Sequence, residues 1–289
     1  MKMSILKKLI TFALLAAIMP GTVLASDDKS KEKMGLDAAE SQISWPEAID
    51  LEIKSKEELA KFVFNIGLSY YRDSKIREAI EWWEKSAWLG NENAMHNIGS
   101  CYERGTGVSK DDKRAFGWFK RAAENGSVEA MFNVGLFYAN GRGVTQDYNK
   151  AFEWYQRAAE RGHVEAMNEV GLYYQSGRGV IQDYNKAFEW FLKSAQKGNA
   201  VAMNNVSVSY TKGEGVSQNL LEGFKWCSQA ANKGHVASMY NVGVYYMTGT
   251  IVSKDLVQAI EWFNKAAEKG DAKAKCILES LNNGTMVIL

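Results

Sequence analysis

The chain contains almost no proline. Among its 289 residues only Pro20 and Pro46 occur, and both precede the periodic part described below. Proline interrupts helices because its nitrogen carries no hydrogen and its ring clashes with the preceding turn. The long segment after Pro46 is therefore free to form uninterrupted helices.

Histidine and cysteine are also scarce, with three of each. The six residues are His96, His163, His235, Cys101, Cys227 and Cys276. Their spacings do not match a zinc site, and none suggests a nucleophile beside a base. An odd number of cysteines leaves at least one thiol free, and we interpret all three as small buried apolar side chains. The sequence therefore predicts no metal and no cofactor.

Neither sign of charge is in excess. The 35 basic and 34 acidic side chains give a net charge of +1. Nucleic-acid binding requires a basic face that neutralises phosphates, and attraction to anionic lipids requires a cluster of lysines and arginines. Neither is favoured here, so we expect the partner to be another protein or a peptide, and not a nucleic acid.

Residues 1–25 have the composition of a secretory signal peptide. Three lysines lie near the start, an apolar run covers Leu9–Ile18, and the small residue Ala25 follows at a suitable cleavage position. The run is shorter than the roughly 20 residues that span a bilayer. We predict cleavage near Ala25, no membrane insertion afterwards, and a periplasmic or secreted protein. An uncleaved N-terminal anchor is the alternative.

A tryptophan recurs every 36 residues. The six positions are Trp82, Trp118, Trp154, Trp190, Trp226 and Trp262. A fixed period between about 20 and 50 residues indicates a repeat protein. Each copy contains two segments with apolar residues at helical spacing, and a glycine-rich loop separates them. In the third copy, Asp147 is predicted to cap the second helix and Gly162 to end it.

The residue that precedes the first helix of each copy varies in its capping ability. Ser127, Asn199 and Asp271 have side-chain oxygens that accept hydrogen bonds from free helical N–H groups. His163 and His235 stand at the same position in other copies and are predicted to be poor caps.

A glycine lies inside the first helix of most copies, as Gly135 and Gly171 illustrate. A glycine inside a helix costs about 1 kcal/mol relative to alanine. Its recurrence indicates that the second helix approaches closely, at a point where small residues such as Ala151 also recur. The tryptophan and tyrosine positions are predicted to fill the core around this contact.

These motifs closely resemble the Sel-one-like repeat, a relative of the tetratricopeptide repeat. The shared pattern of Ala, Gly, Tyr, a Gly-x-Gly-Val loop, Asp, Lys-Ala, Trp-Tyr, Ala-Ala and Gly is nearly complete in the third and fourth copies. The resemblance covers roughly residues 57–289. It implies an all-α fold, a right-handed α-solenoid of about six helix-turn-helix repeats of 36 residues with a C-terminal capping helix.

The composition of residues 1–56 and the resemblance beyond them give the expected boundaries along the chain. They are a signal peptide at 1–25, a charged linker or short helix at 26–56, a degenerate tetratricopeptide-like repeat at 57–90, five Sel-one-like repeats at 91–270, and a capping helix with a tail at 271–289. The first repeat is considered degenerate because its loop lacks the Gly-x-Gly-Val motif. In the sixth copy Ile251 stands at the second loop glycine, so this loop should bend differently.

In related tetratricopeptide solenoids the first helices line a concave groove, and the resemblance implies the same here. The predicted partner-binding residues change from copy to copy, whereas core positions repeat. They are Phe64, Leu68, Tyr71, His96, Phe132, Leu136, Asn168, Leu172, Asn204, Tyr240, Val244 and Met247. The alternative for the leucines and valines is packing between repeats. The recurring asparagines, such as Asn133 and Asn205, are interpreted as hydrogen bonds between repeats.

We therefore predict a non-enzymatic protein–protein interaction module of the bacterial envelope that acts as a regulator or adaptor. The resemblance leaves two other roles open, a periplasmic immunity protein that neutralises a toxin from a neighbouring cell and a secreted host-interaction factor. The catalytic alternative is a cell-wall or β-lactam hydrolase. It rests on the short Ser-x-x-Lys pattern from Ser209 to Lys212, without the other motifs of that enzyme class.

Overall fold

The computed structural model describes residues 55–283. Within this part of the chain the regular structure consists of 13 α-helices and no strands. The predicted signal peptide, nearly all of the predicted linker and the apolar tail from Thr285 to Leu289 lie outside the described residues. No helix between residues 55 and 283 is both long and apolar enough to cross a bilayer.

The helices alternate between two roles, which we call helix A and helix B by their order in each repeat. Helices A are α1 (Lys56–Arg72), α3 (Glu92–Arg104), α5 (Val128–Asn140), α7 (Val164–Ser176), α9 (Ala200–Lys212) and α11 (Val236–Thr248). Helices B are α2 (Ile76–Trp88), α4 (Asp112–Glu124), α6 (Tyr148–Glu160), α8 (Tyr184–Gln196), α10 (Leu220–Asn232) and α12 (Leu256–Glu268). The last described helix, α13, covers Ala272–Asn282. Because each of the helices α2 to α12 contains 13 residues, the same positions fall on the same faces in successive copies.

The chain divides into two compact units after Asn91. The described part of the first unit is the pair α1 and α2. Val63 and Trp83 are fully buried between these helices. The hydroxyl of Ser86 donates a buried hydrogen bond of 2.7 Å to the carbonyl oxygen of Ala60. This bond and the apolar contacts join the two helices into one hairpin.

The second unit contains the helices α3 to α13. Each of these helices packs against the next one along the chain, both inside a repeat and from one repeat to the next. Fully buried valines recur on helices A and fully buried alanines on helices B, as Val134 and Ala151 illustrate. The prediction of an all-α helical repeat fold is therefore confirmed.

Side chains cap the starts of most of the described helices, but not that of α2. Asp147 accepts a hydrogen bond of 3.0 Å from the backbone N–H of Lys150 at the start of α6, as predicted. The prediction that His163 and His235 are poor caps was wrong. Nδ1 of His163 accepts from the backbone N–H of Ala166 at 3.2 Å, and His235 caps α11 in the same way. A neutral imidazole has one ring nitrogen free to accept, and here it reaches the helix.

The glycine inside helix A lies against an aromatic ring of helix B. A Cβ atom built at Gly171 would come within 2.5 Å of Cδ1 of Phe191 and 3.2 Å of the carbonyl oxygen of Ala187. The equivalent pairs are Gly67–Trp83, Gly99–Phe119, Gly135–Tyr155 and Gly243–Phe263. The predicted close approach is confirmed. The ring that requires it belongs to the residue after each aligned tryptophan, and these rings are almost completely buried.

The aligned tryptophans themselves lie at the edge of the core. Of the six, only Trp154 is buried, and the others are half-buried. In five copies a lysine or arginine three residues later covers the indole. The guanidinium carbon of Arg157 lies 4.7 Å from the ring of Trp154, and the ammonium of Lys193 lies 4.3 Å from that of Trp190. The tryptophans therefore combine core packing with cation–π contacts, and the core interpretation was only partly right.

The fifth copy changes both members of the ring–glycine pair. Ser207 occupies the glycine position, Cys227 occupies the ring position, and Gly223 replaces the alanine of helix B. The hydroxyl of Ser207 donates a hydrogen bond of 2.7 Å to the carbonyl oxygen of Gly223. Burial raises the pKa of Cys227 to about 11. The small thiol leaves room for the side chain of Ser207, which a phenyl ring at the same position would not.

The second glycine of the loop between helices A and B forms a contact between repeats. Gly179 has a φ of 64°, and a Cβ atom built on it would lie 2.3 Å from the carbonyl oxygen of Tyr148 in the preceding helix B. Gly143 has the same relation to Asp112. Only glycine allows two backbone segments to meet at this distance with a positive φ.

The loop of the sixth copy departs from this pattern. Gly249, the first loop glycine, has a φ of 70° as in the other copies. Ile251, at the second position, is not among the described residues with positive φ. The predicted difference in the bend of this loop is therefore confirmed.

Gly117 differs from the glycines above because it has no packing role. It lies within α4, is exposed, and a Cβ atom there would meet nothing within 4 Å. We expect Gly117→Ala to raise the free energy of unfolding by about 0.5–1 kcal/mol, since alanine loses less backbone entropy in a helix. Chemical unfolding followed by circular dichroism measures this change. Destabilisation would contradict the open surroundings of this position.

Candidate functional site

The predicted groove residues of the second unit lie on helices A, and we call the surface that these helices form the helix-A face. Most of them are half-buried, namely His96, Phe132, Leu136, Leu172, Asn204, Tyr240, Val244 and Met247. Asn168 differs, because only 5% of its surface is exposed. A partner could reach the half-buried members, whereas Asn168 lies inside the fold.

Hydrogen bonds between neighbouring helices A form a ladder along this face. Nδ2 of Asn133 lies 3.1 Å from Nε2 of His96, and Nδ2 of Asn205 donates to Oδ1 of Asn168 at 2.9 Å. Each pair is 37 positions apart, so each joins one repeat to the next. Burial lowers the pKa of His96, which favours the neutral ring that can accept from an amide. The prediction that recurring asparagines join repeats is confirmed for Asn133 and Asn205.

The ring of Phe132 is stacked on His163. Their centroids lie 4.5 Å apart with an interplanar angle of 20°. Nε2 of His163 lies 3.1 Å from a carboxylate oxygen of Glu129. Because Nδ1 accepts the N–H of Ala166, Nε2 carries the hydrogen and donates it to Glu129. Nδ1 also lies 3.5 Å from Glu165, but it cannot donate there while it caps α7. His163 thus fixes a surface aromatic ring, a role that its position before the helix did not reveal.

The residues at the C-terminal end of the helix-A face also pack against the core. Tyr240, Val244 and Met247 contact the buried cluster of the last repeats. The ring of Tyr240 lies 5.7 Å from that of Phe263, and the ammonium of Lys273 lies 5.9 Å from its centroid. These side chains therefore have both a packing role and an accessible surface.

In the first unit, the predicted residues Phe64, Leu68 and Tyr71 lie on α1. The rings of Phe64 and Tyr71 lie 6.4 Å and 5.5 Å from the ring of Trp83. Tyr71 is 43% exposed, and Leu68 is half-buried. The three residues give this hairpin an accessible, largely aromatic side.

An ion-pair network that the sequence did not reveal joins the third repeat to the second. Arg142, in the loop of the third repeat, bonds to Glu103 at 2.8 Å and to Asp112 at 2.7 Å. The hydrogen bond from Arg142 holds the pKa of Asp112 below its usual range, and burial opposes this effect. Glu103 lies on a helix A, and Arg142 neutralises its charge within the protein.

The described residues offer little support for the hydrolase alternative. Ser209 is 2% exposed, so its hydroxyl is closed to a substrate. Lys212 is exposed, and its ammonium lies 3.6 Å from a carboxylate oxygen of Glu214. Between residues 55 and 283, no group of three or more His, Cys, Asp or Glu side chains could hold a metal ion.

The three cysteines are free thiols. Cys101 and Cys227 are buried, as predicted. Cys276 is exposed, so the prediction of a buried side chain was wrong for this residue. It lies on α13, which packs on α12 and has no following helix among the described residues to cover its other side.

The histidine cap at the start of α11 predicts a pH dependence of stability. Burial lowers the pKa of His235, so the unfolded chain binds the proton more readily than the folded one. The neutral cap therefore contributes its full stabilisation above the pKa of histidine in the unfolded chain, about 6.5, and this stabilisation is lost as the pH falls through that value. We expect the free energy of unfolding to decrease as the pH falls from about 7.5 to about 5.

The variant His235→Asn should show a smaller pH dependence, because asparagine can cap a helix without titrating, as Asn199 does at the start of α9. His96 acts in the same direction and remains in both proteins. An equal pH dependence of the variant in chemical unfolding would contradict the role of His235.

Comparisons with known proteins agree with this architecture. A model of the Sel1 repeat family matches six segments, at residues 59–91, 93–127, 128–163, 164–199, 200–235 and 236–271. The chain is similar to the solved structure of a protective antigen present in uropathogenic Escherichia coli strains that displays an SLR fold, with 32% identity over 74% of this chain and a TM-score of 0.70. It spans only 47% of that antigen. It is also similar to a Sel1 repeat protein from Oxalobacter formigenes, with 32% identity over 73% of this chain and 86% of that one, and a TM-score of 0.68. No curated protein sequence matches the chain significantly.

Proposed function

The chain belongs to the Sel1 repeat family, whose members act as protein-interaction modules, and we propose that it is a non-enzymatic binding module of the bacterial envelope. In this proposal it works as a regulator or adaptor that holds a partner protein or peptide on the helix-A face. The supporting observation is the contrast between a constant core and a variable surface. The ring–glycine contact recurs in five copies, whereas one position of helix A, half-buried in every copy but the fourth, is occupied in turn by His96, Phe132, Asn168, Asn204 and Tyr240.

The side chains on the helix-A face are already held in place, which favours binding. Phe132 is stacked on His163, and Leu172 packs partly against the core of its repeat. A side chain that is fixed before binding loses less conformational entropy when a partner arrives. Apolar anchors that sit between polar neighbours at helical spacing suit an extended or helical protein segment.

Charged replacements on this face should abolish binding while the fold remains. A partner is first captured from an envelope extract by cross-linking and identified by mass spectrometry. We expect the double variant Phe132→Asp and Tyr240→Asp to bind that partner at least about tenfold more weakly, because apolar anchors dominate such interfaces. Isothermal titration calorimetry measures the affinity, and circular dichroism checks the helical content.

The matched control is Ile181→Asp, which makes the same kind of change in a loop. Ile181 is 89% exposed and belongs to no helix A. This variant should bind the partner with unchanged affinity. If Ile181→Asp weakens binding and the double variant does not, the partner uses the loops and the proposal for the helix-A face is wrong.

An envelope location is the second part of the proposal, and the N-terminal sequence supports it. Cell fractionation with N-terminal sequencing of the purified protein should find a periplasmic chain that begins after Ala25. The similarity to a protective antigen of uropathogenic E. coli favours a secreted host-interaction factor as the second candidate. Recovery of the chain chiefly from culture supernatant would support this candidate over a periplasmic adaptor. Recovery in the cytoplasm with an intact N-terminus would contradict both.

A further inference from the structure

The charges of the second unit differ between its two kinds of helix. Helices α5 and α7 carry the acidic residues Glu129, Glu165 and Glu169 and neither lysine nor arginine. Helix α11 carries no charged residue, and α9 carries only Lys212, which is paired with Glu214. The neighbouring helices B, α6 and α8, carry both signs. The middle of the helix-A face is therefore acidic, although the whole chain is close to neutral.

Glu169 occupies a position in the asparagine ladder. Asn133 and Asn205 stand at the same position of the preceding and following repeats, and each bonds to a polar residue 37 positions earlier. The residue 37 positions before Glu169 is Phe132, whose ring has no group that could pair with a carboxylate. Of these three ladder positions, the carboxylate occupies the one whose residue 37 positions earlier is apolar.

The carboxylate of Glu169 also lacks a cationic neighbour. The ion pairs among residues 55–283 include Glu103 but not Glu169, and Glu129 accepts a hydrogen bond from His163. Burial raises the pKa of Glu169, and a hydrogen bond with Asn168 acts in the opposite direction. Its charge contributes, after burial, to raising the pKa of Tyr173 to about 12. A half-buried carboxylate without a countercharge is unfavourable in the free protein and becomes favourable when a cation pairs with it.

Four apolar side chains occupy neighbouring positions of the helix-A face, in addition to Tyr155 and Tyr173, whose pKa values are raised by burial and also by the charge of Glu169. Phe132 and Leu136 lie on α5, Leu172 lies one turn after Glu169 on α7, and Val208 follows on α9. All four are half-buried. An isolated acidic cluster would suit a metal ion, but a single carboxylate between apolar surfaces suits a protein side chain with an apolar stem and a cationic end.

We propose that the partner of this protein inserts a lysine or arginine side chain at Glu169, with apolar side chains of the same segment on either side. This inference rests on the proposed function and specifies the partner's chemistry at the centre of the helix-A face. The cation pairs with Glu169 at the ladder position where Phe132 offers no polar group. Residues such as Glu129 and Glu165 attract a basic segment at longer range, whereas Glu169 forms the direct pair.

A peptide library displayed on phage and selected on the immobilised full chain tests this assignment. Selected peptides should share a lysine or arginine at one fixed position between apolar residues. We expect Glu169→Gln to weaken the binding of these peptides by about 10- to 100-fold, the range for removing one member of a partly buried charge pair. Fluorescence anisotropy of the synthetic peptides measures the affinities.

Two controls separate a binding role from a structural one. Glu165→Gln removes a charge from the same helix, but its side chain is 64% exposed, so the affinity should change by less than about threefold. Glu169→Asn installs the ladder residue of the neighbouring repeats. The melting temperature of this variant should be at least as high as that of the original chain. The variant should no longer prefer peptides that carry a lysine or arginine. A lower thermal stability of both Glu169 variants would assign the carboxylate to the fold and overturn the proposal.

The selection distinguishes failure of this inference from failure of the proposed function. Peptides that require Phe132 and Tyr240 but carry no cation, or that bind Glu169→Gln equally well, would overturn the role of Glu169 and leave the helix-A face as the binding surface. If no peptide depends on Phe132, Tyr240 or Glu169, both proposals fall.

Discussion

Replacement of Phe191 by alanine is expected to lower the free energy of unfolding of the second unit by about 3–5 kcal/mol. The ring is completely buried and fills the space that Gly171 leaves open on α7. Its loss creates a cavity between helices A and B that a glycine without side-chain atoms cannot fill. Chemical unfolding followed by circular dichroism measures the loss. A change below about 1 kcal/mol would contradict the role of the ring in the core.

The fifth repeat provides a matched test of the same contact. It uses Ser207 and Cys227 where the fourth uses Gly171 and Phe191. We expect Gly171→Ser to destabilise by about 1–3 kcal/mol because its Cβ atom collides with the ring. Gly171→Ser should destabilise less in a chain that also carries Phe191→Cys and Ala187→Gly than in the original chain. The difference between these two effects, the coupling energy, should be about 0.5–3 kcal/mol. Strictly additive effects would show that these positions do not form one contact.

The second large effect is expected at the contact between repeats. Gly179→Ala should destabilise the second unit by about 2–5 kcal/mol. Of this, about 1–2 kcal/mol comes from the positive φ, and about 1–3 kcal/mol comes from the collision with the carbonyl oxygen of Tyr148. Thermal and chemical unfolding both report this loss.

Gly177→Ala is the matched control for this prediction. Gly177 lies in the same loop and has a φ of 70°, but its Cβ atom would approach only Gln182 and Val180 at 3.3 Å or more. We expect it to lose about 1–2 kcal/mol, from the backbone conformation alone. If both variants lost the same amount, the contact between Gly179 and the preceding repeat would be of no importance for stability.

The periodicity of the sequence was sufficient to predict the fold. A period of 36 residues with glycine at fixed positions left room for two helices and a tight loop in each copy, and Asp147 showed where the second helix begins. The interior glycines predicted a close helix contact, although not that Phe191 or Tyr155 makes it. Local patterns show which residues share a face of one helix, but not which residues of two helices meet.

Contacts between repeats could not be predicted in the same way. The pairs His96–Asn133 and Asn168–Asn205 join positions 37 apart rather than 36, an offset that depends on how the helices are stacked. The offset of 37 pairs Phe132 with Glu169, and the period of 36 alone would not have paired them. The burial of Asn168 follows from the same geometry.

In the proposed function, the second unit is a constant frame whose changing helix-A face binds a partner. Site-specific photo-cross-linking in envelope extract tests this most directly. A photoreactive amino acid is placed at Leu136 or Leu172 on the helix-A face, and at Ile181 or Lys225 elsewhere. We expect cross-links to one partner protein from Leu136 and Leu172 and none from the other two positions. Cross-links that form only from Ile181 and Lys225 would contradict it.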